Sequence, residues 1–236
     1  MMKMKKRKMI KVLDKGYVRL VKAHGDDLDI ANAARASYVK ESEELTEGDI
    51  KLIKFLGKRQ EGSPFRHVFA TLEVKAPLFV ARQWWKYVVG SDHTMETAWN
   101  EASRRYITME PEFYVPTEKQ WRSAPENSKQ GSGAPLDDAN GAWTTFELEE
   151  VTRECMAGYE QALARGVAPE QARLFLPAYG MYTVWRWTAS LQGIGFFLSQ
   201  RLESNAQEEI REYARAVYEL VEPCFPVGLP AFMGVG

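Results

Sequence analysis

Cysteine is almost absent. Cys155 and Cys224 are the only 2 in 236 residues, too few for a disulfide framework and suited to a reducing compartment. Histidine is nearly as scarce: His24, His67 and His93 are scattered without metal-ligand spacing, so no metal site is expected. Neither charge is in excess, with 31 Lys plus Arg against 32 Asp plus Glu and a net charge of −1. That balance argues against bulk nucleic-acid binding, which needs a basic face, and leaves any basic cluster to a small ligand such as a nucleotide. No apolar run approaches the ~20 residues that span a bilayer. The basic stretch Met1–Lys8 is followed only by Met9-Ile10 before Lys11, so no signal-peptide core is formed and a soluble, cytoplasmic protein is expected. Dinucleotide, Walker, nucleophile-elbow and His-Glu-x-x-His motifs are missing, and neither cysteine has a base beside it in sequence. What remains is a set of anion-binding and amide side chains, the pattern expected where a cofactor carries the chemistry.

What is present describes an ordinary globular chain, 45% hydrophobic and 27% charged. The length suffices for one substantial core, and one domain over residues 1–236 is expected, with 1–8 a basic tail. Ile10 to Leu20 reads as strand, turn and strand around Lys15-Gly16. Asp29 to Tyr38 reads as a short helix capped by Asp26 or Asp27, and Thr46 starts another through Arg59 with Ile50, Ile53, Phe55 and Leu56 inward. Every even position from Val68 to Val80 is apolar, a period of two that predicts one long strand, with Pro77 marking an edge or a bend. Residues 120–141 read as a long Gly-, Ser- and Pro-rich loop. Helices are expected over Thr144–Arg165, over Glu170 to about Leu202 with breaks near Pro177 and Gly180, and over Ala206–Glu222. Trp84, Trp85, Trp185 and Trp187 are expected in the core or at subunit contacts.

The most informative stretch is Ala76 to Lys86 followed by Trp99-Asn100-Glu101-Ala102-Ser103-Arg104-Arg105-Tyr106. It is read as an apolar strand that delivers Gln83 and Lys86 to its end, close to a cluster of Asn, Glu, Ser and two Arg. The planar guanidinium fork matches phosphate oxygens and a Ser hydroxyl adds a short donor, so a phosphorylated small molecule is the expected ligand.

These residues, in this order, resemble the flavin-dependent thymidylate synthases (the ThyX family) over nearly the whole chain. The matching pieces run from Leu13-Asp14-Lys15-Gly16, Ala33-Ala34-Arg35-Ala36-Ser37-Tyr38 and Ser63-Pro64-Phe65-Arg66-His67 through Lys75–Trp84 and Asn100–Tyr106. They continue with Lys129-Gln130-Gly131-Ser132, Gln171-Ala172-Arg173, Leu176-Pro177, Arg201 and Ala206-Gln207. The resemblance implies an α+β fold with a central antiparallel sheet packed by helices, and a homotetramer whose subunits share active sites. It implies reductive methylation of dUMP to dTMP, with methylenetetrahydrofolate giving the carbon, NADPH the electrons and FAD the hydride, and no enzyme thiol needed. By position, Ser103, Arg105 and Arg173 would hold the phosphate with the backbone at Arg104. Gln83, Glu101 and Arg201 would face the nucleoside, Lys86 would lie at the substrate, and Arg201 would polarise the pyrimidine. Ser37, Ser63, Arg66, Lys86, Tyr87, Val88, Val89, Asn100, Glu101, Ser190 and Gln192 fall at the family's flavin contacts. Ser37 and Arg173 need not come from one subunit.

Three departures stand out. Lys86-Tyr87-Val88 replaces the family's Arg-His-Arg triplet, Ser91–Trp99 is longer than the usual link, and Glu61 stands where many members carry His. A phenol cannot take the proton or charge roles of an imidazole near neutral pH. His93 in the long link is a candidate to stand in for the absent His. The departures leave open a sister chemistry, in which water replaces hydride to give a 5-hydroxymethyl pyrimidine nucleotide, and a non-catalytic nucleotide-binding homologue.

Overall fold

The computed structural model describes residues 8–89, 97–102, 110–126 and 131–235. Among these, five strands form one antiparallel sheet in the order β1-β2-β3-β5-β4: β1 Met9–Val12, β2 Gly16–His24, β3 Phe69–Pro77, β4 Thr97–Glu101 and β5 Tyr182–Ser190. β1 and β2 form the hairpin expected around Lys15-Gly16. Gly16 is required there, because a Cβ would overlap the hydroxyl of Tyr213, which donates to the Lys75 carbonyl at 2.7 Å.

The helices are α1 Asp27–Arg35, α2 Glu47–Lys58, α3 Leu78–Val89, α4 Asp138–Ala164, α5 Pro169–Ala172, α6 Leu191–Arg201, α7 Glu208–Val221 and α8 Gly228–Met233. α1 and α2 start where their caps lie in sequence. Asp26 and Thr46 each close a capping box, with Asp29 and Asp49 answering three residues on. One apolar sheet face, carrying Val18, Leu72, Val74, Trp185 and Trp187, shares a buried cluster with Trp84 of α3, Phe197 of α6 and Tyr213 and Val217 of α7. The opposite face is polar. There Glu73 accepts from Tyr17 and Arg19 and pairs with Arg186. Burial opposes ionisation of Glu73, but these donors outweigh it and hold its carboxyl below the usual range; burial and that carboxylate push Tyr17 up to about 12.

Four expectations are corrected. The strand from Val68 does not run to Val80: it ends at Pro77, and Leu78–Val89 is helical. The apolar residues Val80, Ala81 and Trp84 satisfy a helical stripe as well as the end of the alternation, so two periods overlap there. Gln83 and Lys86 therefore sit on a helix, not at a strand end. The stretch from Glu170 to Leu202 is not helical throughout, because Tyr182–Ser190 is a strand paired on both edges, with β3 and β4. Its run of Tyr, Thr, Val and Trp carried that signal. α4 begins six residues before Thr144, where Asp137 accepts from the Asn140 backbone N–H at 2.9 Å. Phe55 of α2 is 54% exposed, while Leu52 packs against the core instead.

Candidate nucleotide and cofactor site

α3 and α6 lie against each other along an aromatic seam. Trp84 stacks on Phe197 at 4.3 Å between ring centroids and meets Trp185 and Trp187 edge-on. Gln83 and Tyr87 flank Trp84 on α3, and Gln200 and Arg201 close the C-terminal end of α6. The seam therefore fixes where these four polar side chains stand. Three of them, Gln83, Gln200 and Arg201, line a cavity of about 480 Å³ together with Glu203, Asn205, Gln207, Gly131 and Ala206. Gln83 Nε2 donates to Gln207 Oε1 at 2.6 Å, and the Tyr87 hydroxyl donates to Gln200 Oε1 at 2.6 Å. The Arg201 guanidinium lies over the Tyr87 ring, 5.3 Å from its centroid, and its buried Nε has no hydrogen-bond partner. Burial raises the Tyr87 phenol, with the Arg201 charge acting the other way. A cavity of this size walled by amides, one cation and the Glu203 carboxylate suits a small polar ligand that brings both hydrogen-bond donors and carbonyl oxygens.

A second group gathers at the opposite end of α6. Ser190 is buried and caps the helix, accepting from the Gly193 N–H at 3.2 Å. Gln192 is 8% exposed, lies against Gly62, and its Oε1 has no partner. Ser63 and Arg66 are exposed on the 3-10 turn Ser63–Arg66, whose Pro64 and Phe65 are buried, and the Leu191 N–H to Val68 carbonyl bond (2.9 Å) ties the segment after the turn to this end of α6. The orphan Gln192 oxygen and the close approach at Gly62, where a Cβ would strike the amide, fit a ligand that brings an N–H donor. Gln192 and Arg201 are nine residues apart on one helix, about 14 Å at 1.5 Å per residue.

The remaining expected residues are dispersed among the described elements. Lys86 is exposed on α3, with Val88 half-buried beside it and Val89 at the helix end. Asn100 and Glu101 are exposed on β4, where Glu101 accepts from the Thr183 hydroxyl at 2.6 Å. Ser37 is exposed on the 3-10 turn Ala36–Tyr38 after α1. Arg173 sits on the 3-10 turn Arg173–Phe175 beside the exposed Leu174 and Phe175, and it does not line the 480 Å³ cavity. Ser103, Arg104 and Arg105 lie outside the described residues, as do His93, most of the 91–99 link, and Lys129 and Gln130. Glu61 pairs with Arg59 at 2.8 Å. Gln200, Glu203 and Asn205 were not anticipated. The signal for them was a helix end followed at once by the polar run Glu203-Ser204-Asn205.

An antiparallel sheet with helices over one face and a polar cavity at the end of α6 defines an α+β protein. The chain belongs to the thymidylate synthase complementing protein family, whose profile matches residues 19–227. It is 41% identical over 223 residues to the flavin-dependent thymidylate synthase of Thermus thermophilus, covering 94% of this chain and 77% of that protein. It is 36% identical over 224 residues to the enzyme of that name from Thermosipho africanus, covering 94% and 93%. Among solved structures, it superposes with a TM-score of 0.81 and 28% identity on the UMP/dUMP methylase PolB from Streptomyces cacaoi bound with 5-Br dUMP, over 96% of this chain and 98% of that one.

Proposed function

We propose that this protein is a flavin-dependent thymidylate synthase, converting dUMP to dTMP with FAD bound, methylenetetrahydrofolate as carbon donor and NADPH as reductant. The observation that carries the reading is the shared cavity of Arg201 and Gln83, in a chain of this family, with Arg201 unpaired by any carboxylate among the described residues. A guanidinium aimed at a uracil carbonyl stabilises the negative charge that builds on the ring as C5 attacks an electrophilic carbon, and preorganised donors of this kind act most strongly where water is excluded. Gln83 would hold the nucleoside, with Glu101. Ser103, Arg105 and Arg173 would hold the phosphate, assisted by the backbone at Arg104, and Lys86 would lie close by.

Ser190 and Gln192, with Ser63 and Arg66, are the residues best suited to hold a flavin, the free Gln192 oxygen being an acceptor for a ring N–H. Ser37, Lys86, Tyr87, Val88, Val89, Asn100 and Glu101 complete the proposed cofactor contacts. When bound, the flavin supplies the hydride that reduces the transferred carbon. Neither cysteine is needed; burial raises the Cys224 thiol, which disfavours the thiolate a nucleophile requires. Arg173 stands among exposed Leu174, Phe175 and Tyr179, which supports its service at a neighbouring subunit's site in a homotetramer, with residues 1–236 acting as one unit.

The test is anaerobic turnover of dUMP with FAD, NADPH and methylenetetrahydrofolate, with the nucleotide identified by mass. A flavin-dependent gain of one methylene unit is expected. A hydroxymethyl product, or no product with dUMP and FAD both bound, would overturn the reading.

A further inference from the structure

Arg201 is held in an unusual way for a cation at a ligand cavity. No carboxylate among the described residues is within ion-pair distance of it, and its Nε is buried without a partner. Its guanidinium instead lies over the face of Tyr87 at 5.3 Å. The Tyr87 ring is itself fixed twice. Phe197 meets it edge-on at 5.2 Å and 88°, and its hydroxyl donates to the Gln200 amide oxygen at 2.6 Å. Gln200 is the residue just before Arg201, so ring and hydroxyl together grip the end of α6.

The choice of an aromatic partner has a chemical consequence. A carboxylate would orient Arg201 but would occupy its N–H donors and compete with any oxygen of a ligand. A ring face attracts the cation through its quadrupole and takes no hydrogen bond from it. The long Arg side chain, whose rotamer freedom costs about 2 kcal/mol to freeze, is thereby ordered before a ligand arrives, with its Nε–H unspent. A phenol, neutral near pH 7 at its ordinary value of about 10, serves this purpose.

We propose that Tyr87 is a positioning residue for Arg201: it holds the guanidinium over its ring, anchored through Gln200, and presents the free donors to the nucleotide's pyrimidine. This rests on Arg201 being the pyrimidine contact. It gives Tyr87 a role that acts through Arg201 and is separable from any contact with flavin.

The experiment is a double-mutant cycle on the FAD-loaded protein, with the dissociation constant for dUMP read by calorimetry. Tyr87→Leu is expected to weaken binding about tenfold, the scale of a desolvated cation–π contact. Tyr87→Phe, which keeps the ring, is expected to retain most of the affinity. Tyr87→Leu added to Arg201→Gln should cost nothing beyond Arg201→Gln alone, because the residue being positioned is gone. Additive losses, or equal losses for Phe and Leu, would overturn the proposal. The same cycle on the ligand-free protein, read by denaturant unfolding, should show coupling between positions 87 and 201; its absence would also overturn it. Failure of the wild type to bind dUMP would instead defeat the functional reading, and the unfolding cycle would still decide whether Tyr87 holds Arg201.

Discussion

The two sides of the α3–α6 contact are built from adjacent residues and do opposite work. On one side Trp84 and Phe197 stack within a cluster that includes Trp185, Trp187 and Tyr213, all fully buried or nearly so. On the other, one residue away on α3 and three on α6, Gln83 and Gln200 make single amide bonds at a cavity edge. The apolar side has shape and area but no ligand chemistry. The polar side has the chemistry and little packing of its own. A site of this kind is rigid because its neighbours are buried, so its residues can keep donors unpaired without the helices drifting.

Removing the seam should break both sides together. Trp84→Ala leaves a cavity under two tryptophans and a phenylalanine, and a loss of about 3–5 kcal/mol in unfolding free energy is expected from denaturant titration. A loss under about 1 kcal/mol would mean that the seam is not what holds the helices. Arg201→Gln should do the reverse: only a small shift of the unfolding midpoint, no more than the loss of its contact with Tyr87, with dUMP affinity reduced by roughly 10- to 100-fold, the worth of about 1.5–3 kcal/mol for a charged hydrogen bond. Equal damage to stability would move Arg201 from the site to the scaffold.

Two buried carboxylates sharpen the same contrast between packed and paired groups. Asp49 is held below the usual carboxylate range by the Thr46 hydroxyl foremost, against the cost of burial, with the Arg35 ion pair (2.5 Å) adding to it. Asp27 is pushed up by burial, although the Val227 and Gly228 N–H groups donate to it at 2.8 Å. The signs differ accordingly. Stability from Asp49 is present above the ordinary carboxyl value near pH ~4 and is lost as pH falls through its lower folded value. The contribution of Asp27 is greatest in acid and declines as pH rises from that ordinary value through its higher folded one. Unfolding followed between pH 2 and 7 should therefore show Asp49→Asn flattening the acid-side loss and Asp27→Asn steepening it; the opposite pattern in either variant would refute the assigned cause.

Smaller effects are expected at the cavity rim. Gln83→Leu removes the amide proposed to hold the nucleoside, exposed and bonded to Gln207 alone among the described residues, and one such hydrogen bond is worth about 1 kcal/mol, a several-fold loss of dUMP affinity with folding intact. Smallest of all, Cys155→Ala and Cys224→Ala should leave turnover at the wild-type level in a steady-state assay. Loss of activity without loss of folding would put a thiol back into the chemistry.

Much of this was legible along the chain. The caps at Asp26 and Thr46, the hairpin at Gly16 and the amphipathic stripe of α7 are local signals, each settled by a few neighbouring residues. The family resemblance was legible for the same reason, since it is carried by short ordered pieces such as Ser63–His67 and Asn100–Tyr106. The strand Tyr182–Ser190 was not, although Trp185 and Trp187 alternate with Arg186 and Thr188, because the apolar run of α6 follows it without a break and the whole stretch reads as one interrupted helix. Nor was the strand-to-helix change at Pro77, where strand and helix periods coincide for several residues.

The sequence by itself determined the class of the protein, its helix starts and the stock of amides and guanidinium groups without a nucleophile. Which of those groups meet was decided only in three dimensions. Position 87 lies more than a hundred residues from 200 and 201, and no local pattern says that a phenol will meet an amide and a guanidinium across that distance. The packing of Trp84 on Phe197 brings them together, because burying those rings leaves α3 and α6 one way to lie against each other.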